Sequence, residues 1–291
     1  SSKVDYKTGA VSPQFSPEEL VNKFPRLKEI ANIRSKLISN ISSENIRFHH
    51  YNIIAKEIEK ELKNNVKGII ITHGTDTLHY TSAALSFILE NIKIPVILVG
   101  SQRSSDRPST DAPQNLLHAV EFICKSNFEG VAICMHSSIN DDSSYILPGC
   151  KVRKMHTSRR DAFKAVNGEV IAKVGSEIEL FIKNKETSHE FKLKLIKENL
   201  KIGILRMHTN MYDKELEHYS KFDALIIEGS GLGHFPIEKV DSKSGENSRI
   251  FNSLKKISKK TPVIMTSQCN FGNVNMNVYS LGRKLIDIGV L

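Results

Sequence analysis

The 291 residues are 40% apolar and 25% charged, a balance that supports a packed core and excludes wholesale disorder. No apolar run approaches the roughly 20 residues that a bilayer-spanning helix needs. Lysine and arginine outnumber aspartate and glutamate by 41 to 32, and the resulting net charge of +9 suits either a polyanion partner or a lysine-rich solvated surface.

Taken in chain order, the first clear element is "GIIITHG" at 68–74. A short β-branched run ending in His and Gly reads as a buried strand of a parallel sheet. Leu78, Ala84, Leu85, Ile88, Leu89 and Ile92 then form one amphipathic stripe, the mark of a helix. "IPVILVG" at 94–100 repeats the strand pattern. In "DAPQNLLHAVEFICKSN" at 111–127, Asp111 can cap a second helix, Pro113 suits its first turn and Gln114 completes a capping box. Its apolar face continues through Leu117, Val120 and Cys124, and Gly130 stops it. "GVAICMH" at 130–136, "LKIGILRMH" at 200–208, "FDALIIEG" at 222–229 and "TPVIMTSQC" at 261–269 add four more strands. A polar stretch at 237–249 reads as a loop before a helix over Ile250 to Lys260.

Strands alternating with helices predict an α/β fold: a doubly wound, mostly parallel sheet with helices on both faces, plus a second, smaller α/β domain. The charge-rich stretch "KNKETSHEFKLKLIKENL" at 183–200 divides the two, giving domains over 1–184 and 200–291. In such sheets ligands bind outside the carboxyl ends of the strands, so the polar residues there are the first candidates for chemistry.

Thr75 and Asp76 follow a strand and open a helix. Capping of the helix's free N–H groups is one reading, and a hydroxyl–carboxylate ligand site at the positive helix end is the other. "KVRKMHTSRRDAF" at 151–163 is either a solvated basic loop or the source of one lysine folded against that pair. Such a lysine, with a hydroxyl and a carboxylate beside it, takes a proton from an alcohol or a water. Arg159 and Arg160 read as loop charges or as contacts to a partner. Cys124, Cys134, Cys150 and Cys269 lack CxxC spacing and read as reduced, mostly buried thiols. The histidines show neither HxH nor HExxH spacing and read as structural. No GxGxxG follows a strand, since "EGSGLGH" is spaced wrongly, so a dinucleotide site is poorly supported.

"HGTDT" after a strand, "GSQR" at the next strand end and "VRKMHTSRRDAF" together resemble the bacterial-type L-asparaginases and their glutaminase relatives. "SSDRPSTDAPQN", "KVRKMHTSRRDAF", "EGSGLGH" and "NMNVYSLGR" are similar to a narrower subfamily, the D-type subunits of archaeal glutamyl-tRNA(Gln) amidotransferases. The resemblance implies an asparaginase-like fold and a catalytic group of Thr75, Asp76 and Lys154. It further implies that Asp76 holds the substrate's α-ammonium, with Ser43 on the α-carboxylate and Glu44 near the ammonium, both in "NISSENI". Tyr6, in "DYKTGAVSP", would be the tyrosine that assists the nucleophile. The reaction implied is release of ammonia from glutamine, or from asparagine, for amidation of glutamate on tRNA(Gln). The resemblance assigns the amidation to an E-type partner subunit that uses ATP and Mg. It leaves this chain without a cofactor and places it in the cytoplasm, as a homodimer within a heterotetramer. The family's nucleophilic threonine belongs to a "TGGTI"-type strand end, and no Thr-Gly-Gly occurs here. The 291 residues are therefore expected to be part of a longer protein, truncated at both ends and inactive alone. A free-standing cytosolic L-asparaginase and a non-catalytic amino-acid-binding module are the alternatives.

Overall fold

The computed structural model describes residues 2–5, 8, 11–13, 17–182 and 188–291. The chain forms two compact units, Ser1–Glu198 and Asn199–Leu291.

The first unit opens with a hairpin of β1 (Ser2–Val4) and β2 (Val11–Pro13), then short helices α1 (Pro17–Lys23) and α2 (Arg26–Ile30) and the longer α3 (Phe48–Leu62). There follow β3 (Ile69–Thr72), α4 (Leu78–Ile88), the short β4 (Leu89–Glu90), β5 (Pro95–Val99), α5 (Ala112–Lys125) and β6 (Gly130–His136). The remaining strands are β7 (Ser144–Pro148), β8 (Val152–Lys154), β9 (Phe163–Ala165), β10 (Ala172–Val174), β11 (Ile178–Leu180) and β12 (Lys192–Leu193).

Six of these strands form one sheet in the order β11-β10-β7-β6-β5-β3. β3, β5 and β6 run parallel, with Ile69 opposite Val96 and Pro95 opposite Gly130. β7, β10 and β11 continue it antiparallel. The doubly wound class holds, and the sheet is mixed for a simple reason. Only residues 137–143 join β6 to β7, and a parallel return needs a dozen or more residues.

Every residue of β5 is buried, and its alternate side chains serve two cores. Val96 and Leu98 pack with Tyr51, Ala55 and Ile58 of α3 and Leu78 and Leu85 of α4. Ile97 and Val99 pack with Leu116, Ala119 and Phe122 of α5 and Leu27 of α2. Helices on both faces leave no side of the strand to water, which is why its sequence is apolar without alternation.

Several local expectations need correction. Asp111 precedes α5 but makes no side-chain cap, and its carboxylate accepts the backbone N–H groups of Gln102 and Arg103 instead. Gln114 forms no capping box, because its Nε2 lies 2.6 Å from Nε2 of His118. Of the four cysteines only Cys134 is buried, while Cys150 and Cys269 are exposed.

The second unit holds a parallel sheet of β13 (Ile202–Arg206), β14 (Ala224–Gly229) and β15 (Val263–Ser267), with Ile202 opposite Ala224 and Leu225 opposite Val263. Around it lie α6 (Lys214–Glu217), α7 (Gly245–Ser258) and α8 (Ser280–Asp287). Ile250, Leu254 and Ile257 of α7 join Leu225, Ile227 and Val263 in the core. α7 starts at Gly245 rather than Ile250. Its polar first turn follows a turn in which Asp241 Oδ1 accepts the N–H groups of Lys243 and Ser244, a local pattern that reads as loop. In "EGSGLGH", Gly231 and Gly233 take φ of +50° and +101°, which lets Ser230 and His234 exchange backbone hydrogen bonds of 3.0 and 2.9 Å. Among the described residues no helix is long and apolar enough to cross a membrane.

Candidate active site

Beyond the end of β3 the ladder continues for one residue, with His73 N–H donating to Val99 O at 2.9 Å. The chain then leaves the sheet through Gly74, Thr75 and Asp76. Helix α4 is preceded by Thr77, whose hydroxyl donates to Ser43 O at 2.7 Å rather than capping the helix. Thr75 and Asp76 have another partner. Lys154 Nζ donates to Thr75 Oγ1 at 2.9 Å and to Asp76 Oδ1 at 2.7 Å.

The lysine comes from the end of β8, where Lys154 is paired with the fully buried Phe163 of β9. Between them a tight loop closes by Met155 N–H donating to Ala162 O at 2.6 Å. Arg159 braces that loop through two 2.9 Å hydrogen bonds to Asp161, which also receives Lys164 at 3.0 Å. Arg160 reaches away from it, to Asp141 Oδ1 at 2.8 Å and Ser109 O at 2.7 Å. Both arginines therefore shape the loop.

The Lys154 side chain is 10% exposed and that of Asp76 is 70% exposed. The Asp76 carboxylate holds the lysine side chain in place, with its nitrogen on the Thr75 hydroxyl. A lysine nitrogen held in this way against a hydroxyl is placed to exchange a proton with it. The exposed face of Asp76 stays open to a ligand cation.

Two glycines make the approach possible. A Cβ on Gly74 would sit 2.8 Å from both Cβ and Oγ of Ser43, and one on Gly100 would sit 2.9 Å from Cγ2 of Thr75. Gly74 thus admits the buried Ser43 against the Thr75 loop, while Glu44 beside it is exposed. Tyr6 lies outside the described residues. A small cavity of about 30 Å³ opens beside the strand ends, between His73, Gly100, Ser101 and Ala112.

One residue that the sequence reading missed also touches the group. Thr75 Oγ1 donates to Gln102 Oε1 at 3.4 Å, and Gln102 Nε2 is buried without a partner. Its sequence signal is its place, a polar side chain just past the carboxyl end of β5. Two histidines back the site as neutral rings. His73 bridges Gly74 O at 2.7 Å and Thr81 Oγ1 at 2.8 Å, and burial pushes it down. His79 is pushed down to about 4, first by burial and then by the charges of Arg153 and Lys154.

Residues 1–186 match the model of the asparaginase N-terminal domain, and residues 201–291 that of the glutaminase/asparaginase C-terminal domain. The whole chain is 40% identical to a protein of Methanobrevibacter smithii named as the D-type subunit of glutamyl-tRNA(Gln) amidotransferase, of which it spans 65%. A protein of the same name from Sulfolobus acidocaldarius is 41% identical, and the chain spans 64% of it. The chain thus covers a little under two thirds of these relatives. Among solved structures, the thermostable L-asparaginase of Thermococcus kodakarensis superposes with a TM-score of 0.85 at 27% identity, over 100% of this chain and 83% of that one. A probable cytoplasmic L-asparaginase of Campylobacter jejuni gives 0.78 at 25% identity, over 96% and 85%. With both domain models matched in order across its two units, the chain belongs to the asparaginase family of amidohydrolases.

Proposed function

We propose that this chain carries the substrate-holding and water-activating part of a glutaminase that liberates ammonia for tRNA-dependent amidation. The observation that carries the reading is the contact of Lys154 with both Thr75 and Asp76. Asp76 offers its open carboxylate to the α-ammonium of the substrate, with the exposed Glu44 near it, and Ser43 takes the α-carboxylate. Tyr6 assists the nucleophile. Attack on the side-chain amide belongs to the family's strand-end threonine, in a motif these 291 residues do not contain. The amide carbon gains the threonine oxygen and loses ammonia, leaving an ester. A water then enters: Lys154, in its neutral form, takes a proton through Thr75, the hydroxide adds to the ester carbonyl, and the threonine leaves with the proton returned. The product is glutamate. No metal or redox group has a step in this scheme.

The relatives named for the amidotransferase are matched at higher identity than the solved asparaginases, which favours delivery of the ammonia to a partner protein. That partner, the amidotransferase's E-type subunit, would use ATP and Mg to activate glutamate on tRNA(Gln), with this chain a cytoplasmic homodimer within a heterotetramer. Ammonia release from glutamine and asparagine by the purified 291 residues tests the division of labour. Expected is no turnover at the rate of an intact relative. Comparable turnover would move the attack to Thr75 and overturn the scheme.

A further inference from the structure

Behind the site, one fully buried histidine joins its two halves. His136, at the end of β6, is 0% exposed and meets polar atoms through both ring nitrogens. Nδ1 lies 2.7 Å from Asn115 Oδ1, and Nε2 lies 2.9 Å from Asp141 Oδ1. The orientation of Asn115 is set by its other contacts. Its Nδ2 donates to Gly100 O at 3.1 Å and to Asp111 Oδ2 at 3.4 Å, neither of which can donate. So Oδ1 faces His136, and Nδ1 must carry a proton. On the other side Asp141 is a carboxylate. It is held below its usual range by the hydrogen bond from His136, with the charge of Arg160 helping to outweigh burial. An oxygen that only accepts requires a proton on Nε2 as well.

We infer that His136 is a buried imidazolium that positions Thr75 and Lys154 relative to each other in the amidase site proposed above, and this rests on that reading for its functional meaning. One arm runs through Asn115 to the Gly100 carbonyl and to Asp111, which holds the backbone N–H groups of Gln102 and Arg103, and Gln102 receives the Thr75 hydroxyl. The other arm runs through Asp141 to Arg160, in the loop that follows Lys154. Thr75 and Lys154 are 79 residues apart and come from different sheets, Thr75 from just beyond β3 of the six-stranded sheet and Lys154 from β8, which pairs with β9. The ionisable groups around the ring are Asp141 and Arg160 on one side, Asp111 behind Asn115, and His118 across Ser144, with Asp142 next in the chain. His118 is pushed down to about 4, by burial first and then by the charge of His136. It stays neutral beside a charged His136, and its Nδ1 meets Ser144 Oγ at 2.9 Å.

Imidazole nitrogen NMR of the purified chain, with His136 assigned by its loss in His136→Gln, tests the charge directly. Expected at neutral pH is one ring with both nitrogens protonated, and a ring with a single proton overturns the inference. Reductive methylation of Lys154, read by peptide mass spectrometry, tests the positioning without any substrate. His136→Asn keeps a donor toward Asn115 but drops Asp141, and its Lys154 labelling is expected to rise about tenfold, the factor one hydrogen bond to a charged group carries. His136→Gln keeps the Asp141 contact, so its Lys154 labelling should rise less. Wild-type labelling in a folded His136→Asn overturns the positioning role. Should the buried substitutions fail to fold, Asp141→Asn alters a 59% exposed side chain instead. It is expected to return His136 to one proton and to raise Lys154 labelling. An unchanged ring overturns the charge assignment, and unchanged labelling overturns the positioning role. A chain that passes these tests yet binds no glutamine rejects the substrate reading alone.

Discussion

Lys154 presents a nearly buried ammonium to a carboxylate that is mostly in water, an arrangement ill suited to stabilising a fold. Screening leaves such a pair worth about 0–1 kcal/mol, while burying the amine costs free energy. Lys154→Met is therefore expected to shift stability by no more than about 1 kcal/mol in either direction by urea denaturation. A loss of several kcal/mol would make the lysine a structural residue. His79 gives a pH test. Its ring is lowered from 6.5 to about 4, so the folded chain binds fewer protons there than the unfolded one. The stability this contributes is fully present above pH 6.5 and is lost as pH falls toward 4. Against His79→Gln, the wild type is expected to lose stability over that window, and a constant difference between the two would contradict the assignment. Thr75, Asp76 and Lys154 were legible as chemically capable residues. Their meeting was not legible in any local pattern, since 79 residues separate Thr75 from Lys154, and it rested on resemblance to a family. Gln102 and His136 stayed hidden because what they do depends on which donors and acceptors packing brings to them.

The elements that the sequence displayed best are those buried on both faces. β5 puts alternate side chains into two cores, and an unbroken apolar run follows from that. α3 escaped notice although Tyr51, Ala55, Ile58 and Leu62 recur at helical spacing, because the charged residues between them dominate the local composition. The three-residue strands β8 to β11 are too short for any period to emerge. One of them nonetheless delivers Lys154, so the element that matters most to the site carried the weakest signal. Glycines mark where elements must approach closely. Gly100→Ala would press on Cγ2 of Thr75, and a cost of about 1–3 kcal/mol is expected, with weaker ligand binding. In the second unit a Cβ on Gly282 of α8 would fall 2.2 Å from the backbone oxygen of Met276, which cannot rotate away. Gly282→Ala is expected to lower the urea midpoint by more than Gly100→Ala does. The reverse ranking would show that α8 packs more loosely than its contacts indicate.

For the whole molecule, the net charge of +9 gains meaning only with a partner in view. Recruitment to an amidation complex predicts that the chain shifts tRNA and co-purifies with the partner protein, and that both effects weaken steeply with salt. A chain that does neither favours the free-standing L-asparaginase reading instead. The family was readable across nearly the full length, while the choice between glutamine and asparagine depends on pocket depth that no residue pattern encodes. The most direct single test is calorimetric titration of L-glutamine into the wild-type chain, Thr75→Ala and Asp76→Ala. Measurable binding by the wild type is expected, weakened about tenfold or more in Asp76→Ala, the loss that removing one charge-assisted hydrogen bond carries. Equal affinity in all three chains, or none in the wild type, would contradict the assignment of these residues to a substrate site.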